Sequence, residues 1–240
     1  MILAAGRGRR LRPLTDHTPK PLLSVRGKSL IQYHIEHLYA AGIRELVINC
    51  SWQAEKLEAA LGDGSRFGVR ITWSREQVPL ETGGGIQRAL PLLIPGPDRH
   101  SESNATEEGR SFLVISGDTW TDYPLARLCA HDLKDALAHL VMVPNPIHNP
   151  EGDFQLDAHG QLGLKGGDPG SCLTYTGLAL MAKGLFDDRD CGGEIFPLRE
   201  VLRPAIAAGR VTGELYRGLW SDVGTVERLQ ALNRERYASS

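Results

Sequence analysis

The chain has 240 residues, of which 41% are hydrophobic, and its formal net charge is −2. That apolar content supports one substantial core, and the charge balance excludes a general polyanion-binding surface. The four cysteines have no paired spacing typical of a zinc site or a disulfide framework, and no apolar run approaches 18 residues. We therefore expect a soluble, cytoplasmic protein, monomeric or weakly homo-oligomeric, that binds neither nucleic acid nor membrane.

Helix and strand patterns alternate through the first half of the chain. The predicted segments are a helix capped by Ser29 and ended by Gly42, a strand at 43–50, a helix at 53–64, a strand at 69–73, a helix from Thr82 and a strand at 112–116. Such alternation predicts a parallel sheet with right-handed crossovers.

The pattern changes after about residue 136. Short strands joined by Gly and Pro turns predict an antiparallel or mixed portion laid over the first half. Helices at 196–209 and 225–237 flank a short strand and loop at 213–224. The polar segment 95–110, rich in Pro, Gly and Ser, predicts a flexible surface insertion.

Positive charge is concentrated near the start of the chain, in the stretch LAAGRGRRLRPLT at 3–15. A dinucleotide-binding fingerprint does not fit, because Leu11 stands where the third glycine belongs. A P-loop at 27–29 does not fit either, because Leu22 replaces its first glycine. The interpretation left is a strand that leads into a glycine-rich, basic turn.

This turn has the chemistry of a phosphate site. Gly6 and Gly8 allow backbone N–H groups to approach an anion closely, Arg10 can fork onto phosphate oxygens, and Lys20 adds a point charge between two prolines. The alternative is a solvated basic loop, which we expect for Arg7 and Arg12. The sequence predicts a triphosphate site.

Two aspartates follow predicted strands, Asp118 in VISGDTW and Asp222 in YRGLWSDVGT. A triphosphate carries about four negative charges at neutral pH, so its site is expected to include a divalent cation. Mg²⁺ is usually held by one or two carboxylates plus substrate phosphates. Either aspartate alone is typical of a turn or helix cap, but the pair together with the basic loop predicts a Mg²⁺ site.

The stretch AAGRGRRLRPLTDHTPKPLL, with the later GD and DVGT elements, resembles the signature of sugar-1-phosphate nucleotidyltransferases. The resemblance implies a Rossmann-like, GT-A-like α/β fold, in which a mixed, mostly parallel sheet has helices on both faces and carries a small β-rich sugar-binding portion. It implies one domain, 1–240, with a nucleotide-binding part at about 1–135 and a sugar-binding part with C-terminal helices at about 136–240.

The same resemblance assigns site residues. It implies catalytic roles for Arg10 and Lys20, metal binding by Asp118 and Asp222, and base recognition by the glycine-rich helix start. The implied nucleotide-binding residues are Ala5, Gly6, Gly8, Arg9, Arg10, Lys20, Glu76, Thr82, Gly83, Gly84 and Ser116. Ser116 stands where relatives commonly have Asn, so we expect a ribose or phosphate contact of the longer side chain to be lost or mediated by water. The glycines have an alternative role, which is only to permit helix–sheet packing.

The strings PLETGGGIQRALPLL, HNPEGDF and GELYRGLWSDVGT resemble one branch of the family, the N-acetylmuramic acid α-1-phosphate uridylyltransferases of peptidoglycan recycling. This implies UTP and the sugar phosphate as substrates and Mg²⁺ as cofactor. Asp153, Trp120 and Asp222 are the implied sugar-phosphate residues, although a core role for Trp120 is equally open. The family's Glu-Lys-Pro hairpin motif is missing, and no role is assigned to Lys165.

Other activities are weighed against this one. Within the family, the alternatives are transfer to mannose- or glucose-1-phosphate from GTP or dTTP, and to phosphocholine from CTP. A regulatory subunit without catalysis would have lost the metal carboxylates or the lysine, all of which are present here. A nucleic-acid binder would show a steep salt dependence.

Overall fold

The computed structural model describes residues 1–94, 111–166, 172–187 and 194–234, so the insertion predicted at 95–110 lies outside the described residues. The helices are Leu14–His17 (α1), Leu30–Ala40 (α2), Ala54–Leu61 (α3), Glu81–Leu93 (α4), Leu125–Cys129 (α5), Arg199–Ala207 (α6) and Val226–Arg234 (α7). The strands are Ile2–Leu3 (β1), Ser24–Val25 (β2), Lys28–Ser29 (β3), Glu45–Cys50 (β4), Arg70–Arg75 (β5), Ser111–Ser116 (β6), Thr119–Thr121 (β7), Ala138–Val143 (β8), Phe154–Leu156 (β9), Leu162–Gly163 (β10), Cys172–Ala182 (β11), Val211–Leu215 (β12) and Trp220–Asp222 (β13).

One mixed sheet runs in the order β10-β9-β11-β6-β1-β4-β5, and β8 pairs with β11 and β12. The strands β1, β4, β5 and β6 are mutually parallel, β11 is antiparallel to both β6 and β8, and β12 is parallel to β8. The mostly parallel sheet implied by the family resemblance is therefore confirmed.

Two expectations about the second half are wrong. Instead of lying over the first half, β11 pairs directly with β6 and continues the same sheet. The reason is that its residues 176–182 are all buried, and a strand covered on both faces belongs inside a sheet. The segment 213–224 contributes to two strands, since β12 joins the large sheet while β13 pairs with β7.

Helices cover both faces of the sheet. Along the strands, alternate side chains point to opposite faces, so that Ile48 packs with one helical layer and Val47 with the other. The first layer consists of α2, α3 and α5, and the second of α4 and α6. Full burial of one such aliphatic side chain stabilises the fold by about 1.5–3 kcal/mol.

The predicted helix after Ser29 is α2. Its apolar residues Leu30, Ile31, Ile35 and Leu38 are all buried, and Gly42 follows its end with a left-handed φ of 89°, as expected for a helix stop. Ser29 occupies the N-cap with extended backbone, although its side chain makes no capping hydrogen bond.

A third apolar cluster lies beneath the basic loop. It joins Leu11 of that loop to Trp120 and to Leu229 and Leu232 of α7. The guanidinium of Arg26 adds hydrogen bonds of 3.1 Å to the carbonyl of Leu232. These contacts attach α7 to the N-terminal basic loop. They also bring β13, the strand before α7, to the same part of the molecule. No helix in the described ranges is long and apolar enough to cross a membrane.

Candidate active site

The glycine-rich turn follows β1 and depends on Gly8. Gly8 has a φ of +59°, and a Cβ there would lie 2.9 Å from the Thr15 side chain and 3.2 Å from Cβ of Lys20. Its carbonyl accepts hydrogen bonds from the N–H of Leu11 and the hydroxyl of Thr15, both at 2.9 Å. Only glycine combines this backbone conformation with so close an approach, so Gly8 allows the turn to pack against Thr15 and Lys20.

A cavity of about 220 Å³ lies beside this turn, where β1, β4 and β6 end. The carboxyl edge of a parallel sheet is where α/β proteins bind ligands. Most of the predicted nucleotide-binding residues line this first cavity: Ala5, Gly6, Gly8, Lys20, Glu76, Thr82 and Ser116.

The arginines of the turn point in different directions. Arg10 lines a second cavity, described below, rather than the first. Arg9 lines a separate opening together with Arg7, Gly8 and Pro79. Arg7 is exposed, as expected for a solvated side chain, and its Cζ lies 4.8 Å from the ring centre of Trp52 in a cation–π contact.

A buried hydrogen-bond chain forms the floor of the first cavity. The N–H of Ala4 donates to Oδ1 of Asn49 at 2.7 Å, Nδ2 of Asn49 donates to Oε1 of Glu76 at 2.7 Å, and the N–H of Leu80 donates to Oε2 of Glu76 at 2.9 Å. This chain joins the phosphate loop to the start of α4. Sequence reasoning missed Asn49, although a polar residue near the end of an otherwise apolar strand is a usable signal.

The glycines at the start of α4 serve packing. The N–H groups of Gly83 and Gly84 both donate to the carbonyl of Phe196, at 3.0 and 3.1 Å. A Cβ would overlap the Phe196 ring at Gly83 and the carbonyl oxygen of Glu194 at Gly84, and at Gly85 it would lie 2.7 Å from Oε1 of Glu76. The N–H groups of Gly83 and Gly84 are thus engaged by the 194–198 segment, which supports the packing role left open by the sequence, and base contact by these glycines stays a prediction.

A second cavity, of about 500 Å³, adjoins the first. Four residues line both cavities: Leu3, Thr82, Ser116 and Asp118. The second cavity is also lined by the predicted residues Arg10, Asp153 and Asp222. The structure therefore brings the basic turn, the two aspartates and the predicted sugar residue to one cleft.

The two predicted metal ligands meet through the pairing of β7 with β13. Asp222 lies opposite Thr119 in this antiparallel pair, and the N–H of Val223 donates to the carbonyl of Asp118 at 2.8 Å. Both carboxylates line the second cavity. Carboxylate oxygens are the donors that Mg²⁺ prefers, so these two residues fit that ion, although the described residues contain no group of three or more metal-ligating side chains.

Each of these carboxylates has a cationic neighbour. Lys20, 8% exposed, donates from Nζ to Oδ2 of Asp118. Nη1 of Arg228 lies 2.6 and 2.7 Å from the two oxygens of Asp222, and Nε2 of His148 lies 2.8 Å from Oδ1 of the same group. Sequence reasoning missed both residues. Arg228 lies only six positions after Asp222, a spacing that is a usable signal once α7 is predicted, whereas His148 is distant from Asp222 in the chain.

Asp153 is held by the strand beside it. Its Oδ2 accepts hydrogen bonds from the N–H of Tyr175 at 2.9 Å and from Nδ2 of Asn149 at 3.3 Å. Its carboxylate is therefore oriented at the wall of the second cavity by backbone and side-chain donors.

Trp120 lies in the apolar cluster beneath the basic loop, 9% exposed. Its ring meets Tyr33 edge-on at 6.3 Å, so this position corresponds to the core role left open by the sequence. A different tryptophan, Trp220, lines the second cavity and donates its indole N–H to the carbonyl of Thr176 at 3.0 Å.

A neutral histidine of α2 is hydrogen-bonded to β7. His34 is buried, and its Nε2 lies 2.8 Å from the carbonyl of Thr119. Because a carbonyl only accepts, Nε2 carries the proton. Burial lowers the pKa of His34 to about 4, so the ring fastens the strand beside Asp118 without adding charge to the site.

The fold and this cleft define an α/β protein that binds phosphate-bearing ligands at the carboxyl edge of its sheet. The chain belongs to the nucleotidyl transferase family, whose sequence model matches residues 1–154.

Two relatives resemble it over most of their length. An N-acetylmuramate alpha-1-phosphate uridylyltransferase of Neisseria meningitidis is 45% identical, over 96% of this chain and 94% of its own. A protein of the same name from Caulobacter vibrioides is 32% identical, over 93% and 90%. Among solved structures, a Bacillus anthracis protein described as a glucose-1-phosphate thymidylyltransferase has a TM-score of 0.79 at 19% identity, covering 99% of this chain and 96% of its own.

Proposed function

We propose that this chain transfers a uridylyl group from UTP to N-acetylmuramic acid α-1-phosphate, releasing pyrophosphate and UDP-N-acetylmuramic acid. Family membership and the 45% identical relative of that name support the proposal. The observation that carries it is the junction of two cavities at Ser116 and Asp118. One cavity has a glycine-rich phosphate loop and the other has polar side chains suited to a sugar phosphate.

The reaction in this arrangement is an in-line displacement. An oxygen of the sugar phosphate attacks the α-phosphorus of UTP, a new P–O bond forms, and the bond to pyrophosphate breaks. The attacking oxygen is already anionic, so no general base is required. Catalysis then consists of positioning and charge neutralisation.

Different residues of the cleft position the substrates and neutralise their charge. Backbone N–H groups around Gly6 and Gly8 bind the triphosphate, and Lys20 offsets negative charge at the α-phosphate. Arg10, which lines the second cavity, is placed to neutralise phosphate charge from the sugar side. Arg228 keeps the carboxylate of Asp222 oriented through its two short hydrogen bonds.

Magnesium dependence is part of the same proposal. Asp118 and Asp222 would hold the ion, with substrate phosphates as its other ligands. When bound, Mg²⁺ supplies charge stabilisation between the two phosphate groups.

A pyrophosphate-release assay tests the function. The purified chain is supplied with each of four nucleoside triphosphates and with the 1-phosphates of N-acetylmuramic acid, N-acetylglucosamine, glucose and mannose, with and without Mg²⁺. UTP with N-acetylmuramic acid α-1-phosphate should give the highest kcat/KM, and EDTA should abolish turnover until Mg²⁺ is restored. Preference for any other pair would refute the proposed substrates.

A further inference from the structure

Arg199 is a cation in the second cavity that the proposed reaction does not use. It begins α6 and lines the cavity beside Pro197, Leu198 and Leu202. Its side chain is exposed and has no acidic partner among the described residues. Arg228, by contrast, is bound to Asp222.

The first turn of α6 contains Arg199 and the acidic Glu200. Arg199, and not Glu200, lines the second cavity. An anionic group bound in that cavity would therefore compensate the charge of the guanidinium.

The other basic residues of the second cavity have assigned partners or roles. Arg10 belongs to the phosphate loop, and Nε2 of His148 lies 2.8 Å from Oδ1 of Asp222. The phosphates meet at the residues that line both cavities, whereas Arg199 lines the second cavity and is not among those shared residues. Arg199 is therefore available to a second anionic group of the same ligand.

The proposed sugar substrate has such a group. N-acetylmuramic acid differs from N-acetylglucosamine by a lactyl ether, which consists of a carboxylate and a methyl group on one carbon. A guanidinium fork matches a carboxylate with two parallel hydrogen bonds, and Leu198 with Leu202 offers apolar surface for the methyl group.

We infer that Arg199 binds the lactyl carboxylate and selects N-acetylmuramic acid α-1-phosphate over N-acetylglucosamine 1-phosphate. This inference rests on the proposed function. The segment 194–198 that precedes Arg199 is attached to α4 through the carbonyl of Phe196 and through the N–H of Leu198, which donates to Oγ1 of Thr82 at 2.9 Å. The specificity residue is thus positioned by the same helix start that borders the nucleotide cavity.

The test compares Arg199→Gln with wild type on both sugar phosphates with UTP. A charge-assisted hydrogen bond lost from binding should lower kcat/KM for the N-acetylmuramic acid substrate by about 10- to 100-fold, mainly through KM. For N-acetylglucosamine 1-phosphate the change should be less than about threefold, and Arg199→Lys should recover part of the loss. Arg203→Gln, an exposed position one turn along the same helix, is the matched control and should behave as wild type on both substrates.

A second measurement changes the substrate instead of the protein. Conversion of the lactyl carboxylate to the neutral amide should weaken binding to wild type and should cause no comparable loss of affinity for Arg199→Gln. Equal losses on both sugars, or no loss on either, would overturn the assignment, as would wild-type indifference to the amide. Failure of the proposed function has a different signature, because wild type would then not turn over N-acetylmuramic acid α-1-phosphate with UTP at all.

Discussion

Asn49→Ala removes the central member of the buried hydrogen-bond chain that supports the phosphate loop. Asn49 is 2% exposed and Glu76 is 5% exposed, so water does not readily replace the lost partners. The substitution orphans the N–H of Ala4 and one oxygen of the Glu76 carboxylate. Each buried unsatisfied group costs about 1–3 kcal/mol, so the loss of two partners should lower the free energy of unfolding by about 2–6 kcal/mol.

Urea denaturation followed by circular dichroism measures this loss. The control is Asn233→Ala, because Asn233 also accepts from a backbone N–H, that of Arg26 at 2.7 Å, and donates to a carbonyl, that of Leu229 at 3.0 Å, but is exposed. Water can satisfy its partners, so the control should lose less than about 1 kcal/mol. A loss at Asn49 no larger than that of the control would refute the reasoning.

Four further substitutions and one pH dependence follow from the structure. Lys20→Ala and Asp222→Ala should each lower turnover at saturating Mg²⁺ by at least about a hundredfold, because each removes a preorganised charge. Gly84→Ala should lower the free energy of unfolding by about 1–3 kcal/mol, because the new Cβ overlaps the 194–198 backbone. The contribution of His34 to stability should be complete above pH 6.5 and fall by up to about 3 kcal/mol toward pH 4, because the unfolded chain protonates His34 first, and His34→Gln should reduce the slope over this range.

Each of these outcomes has its own check. Lys28→Ala, which removes an exposed lysine paired with Glu36 at 2.7 Å, should retain turnover, and near-wild-type rates for Lys20→Ala would contradict its role. Gly166→Ala, where no atom of the described residues lies within 4 Å of the new Cβ, should leave stability unchanged, in contrast to Gly84→Ala. An unchanged pH slope in His34→Gln would show that other groups dominate the acid transition.

Local signals in the sequence predicted much of the architecture. The spacing of apolar residues from Leu30 to Leu38 predicts α2, and the apolar run at 112–116 predicts the buried strand β6. Even the rejected P-loop at 27–29 is accounted for locally, because Gly27, with a φ of 86°, lies in the turn between β2 and β3. These features depend on neighbours within a few residues, so periodicity and turn chemistry suffice to predict them.

The roles of particular side chains were harder to predict. Trp120 and Trp220 each lie close to an aspartate in the sequence, so the sequence does not distinguish them. The pairing of β7 with β13 places Trp120 in the core and Trp220 at the second cavity. The glycines at 83 and 84 carry the same signal for base contact as for packing. Which of the two applies depends on the segment ending at Leu198, more than a hundred residues away.

The sequence alone predicts a basic glycine-rich turn, two lone carboxylates after strands and an alternating α/β pattern, because each feature depends on residues that are close together in the chain. Only the tertiary structure determines which side chains these charged groups contact. Lys20 meets Asp118 across 98 positions, and Asp222 reaches the same cleft only because β13 pairs with β7. Hydrogen bonds and ion pairs act over a few ångströms, so the register of distant strands decides which charges meet.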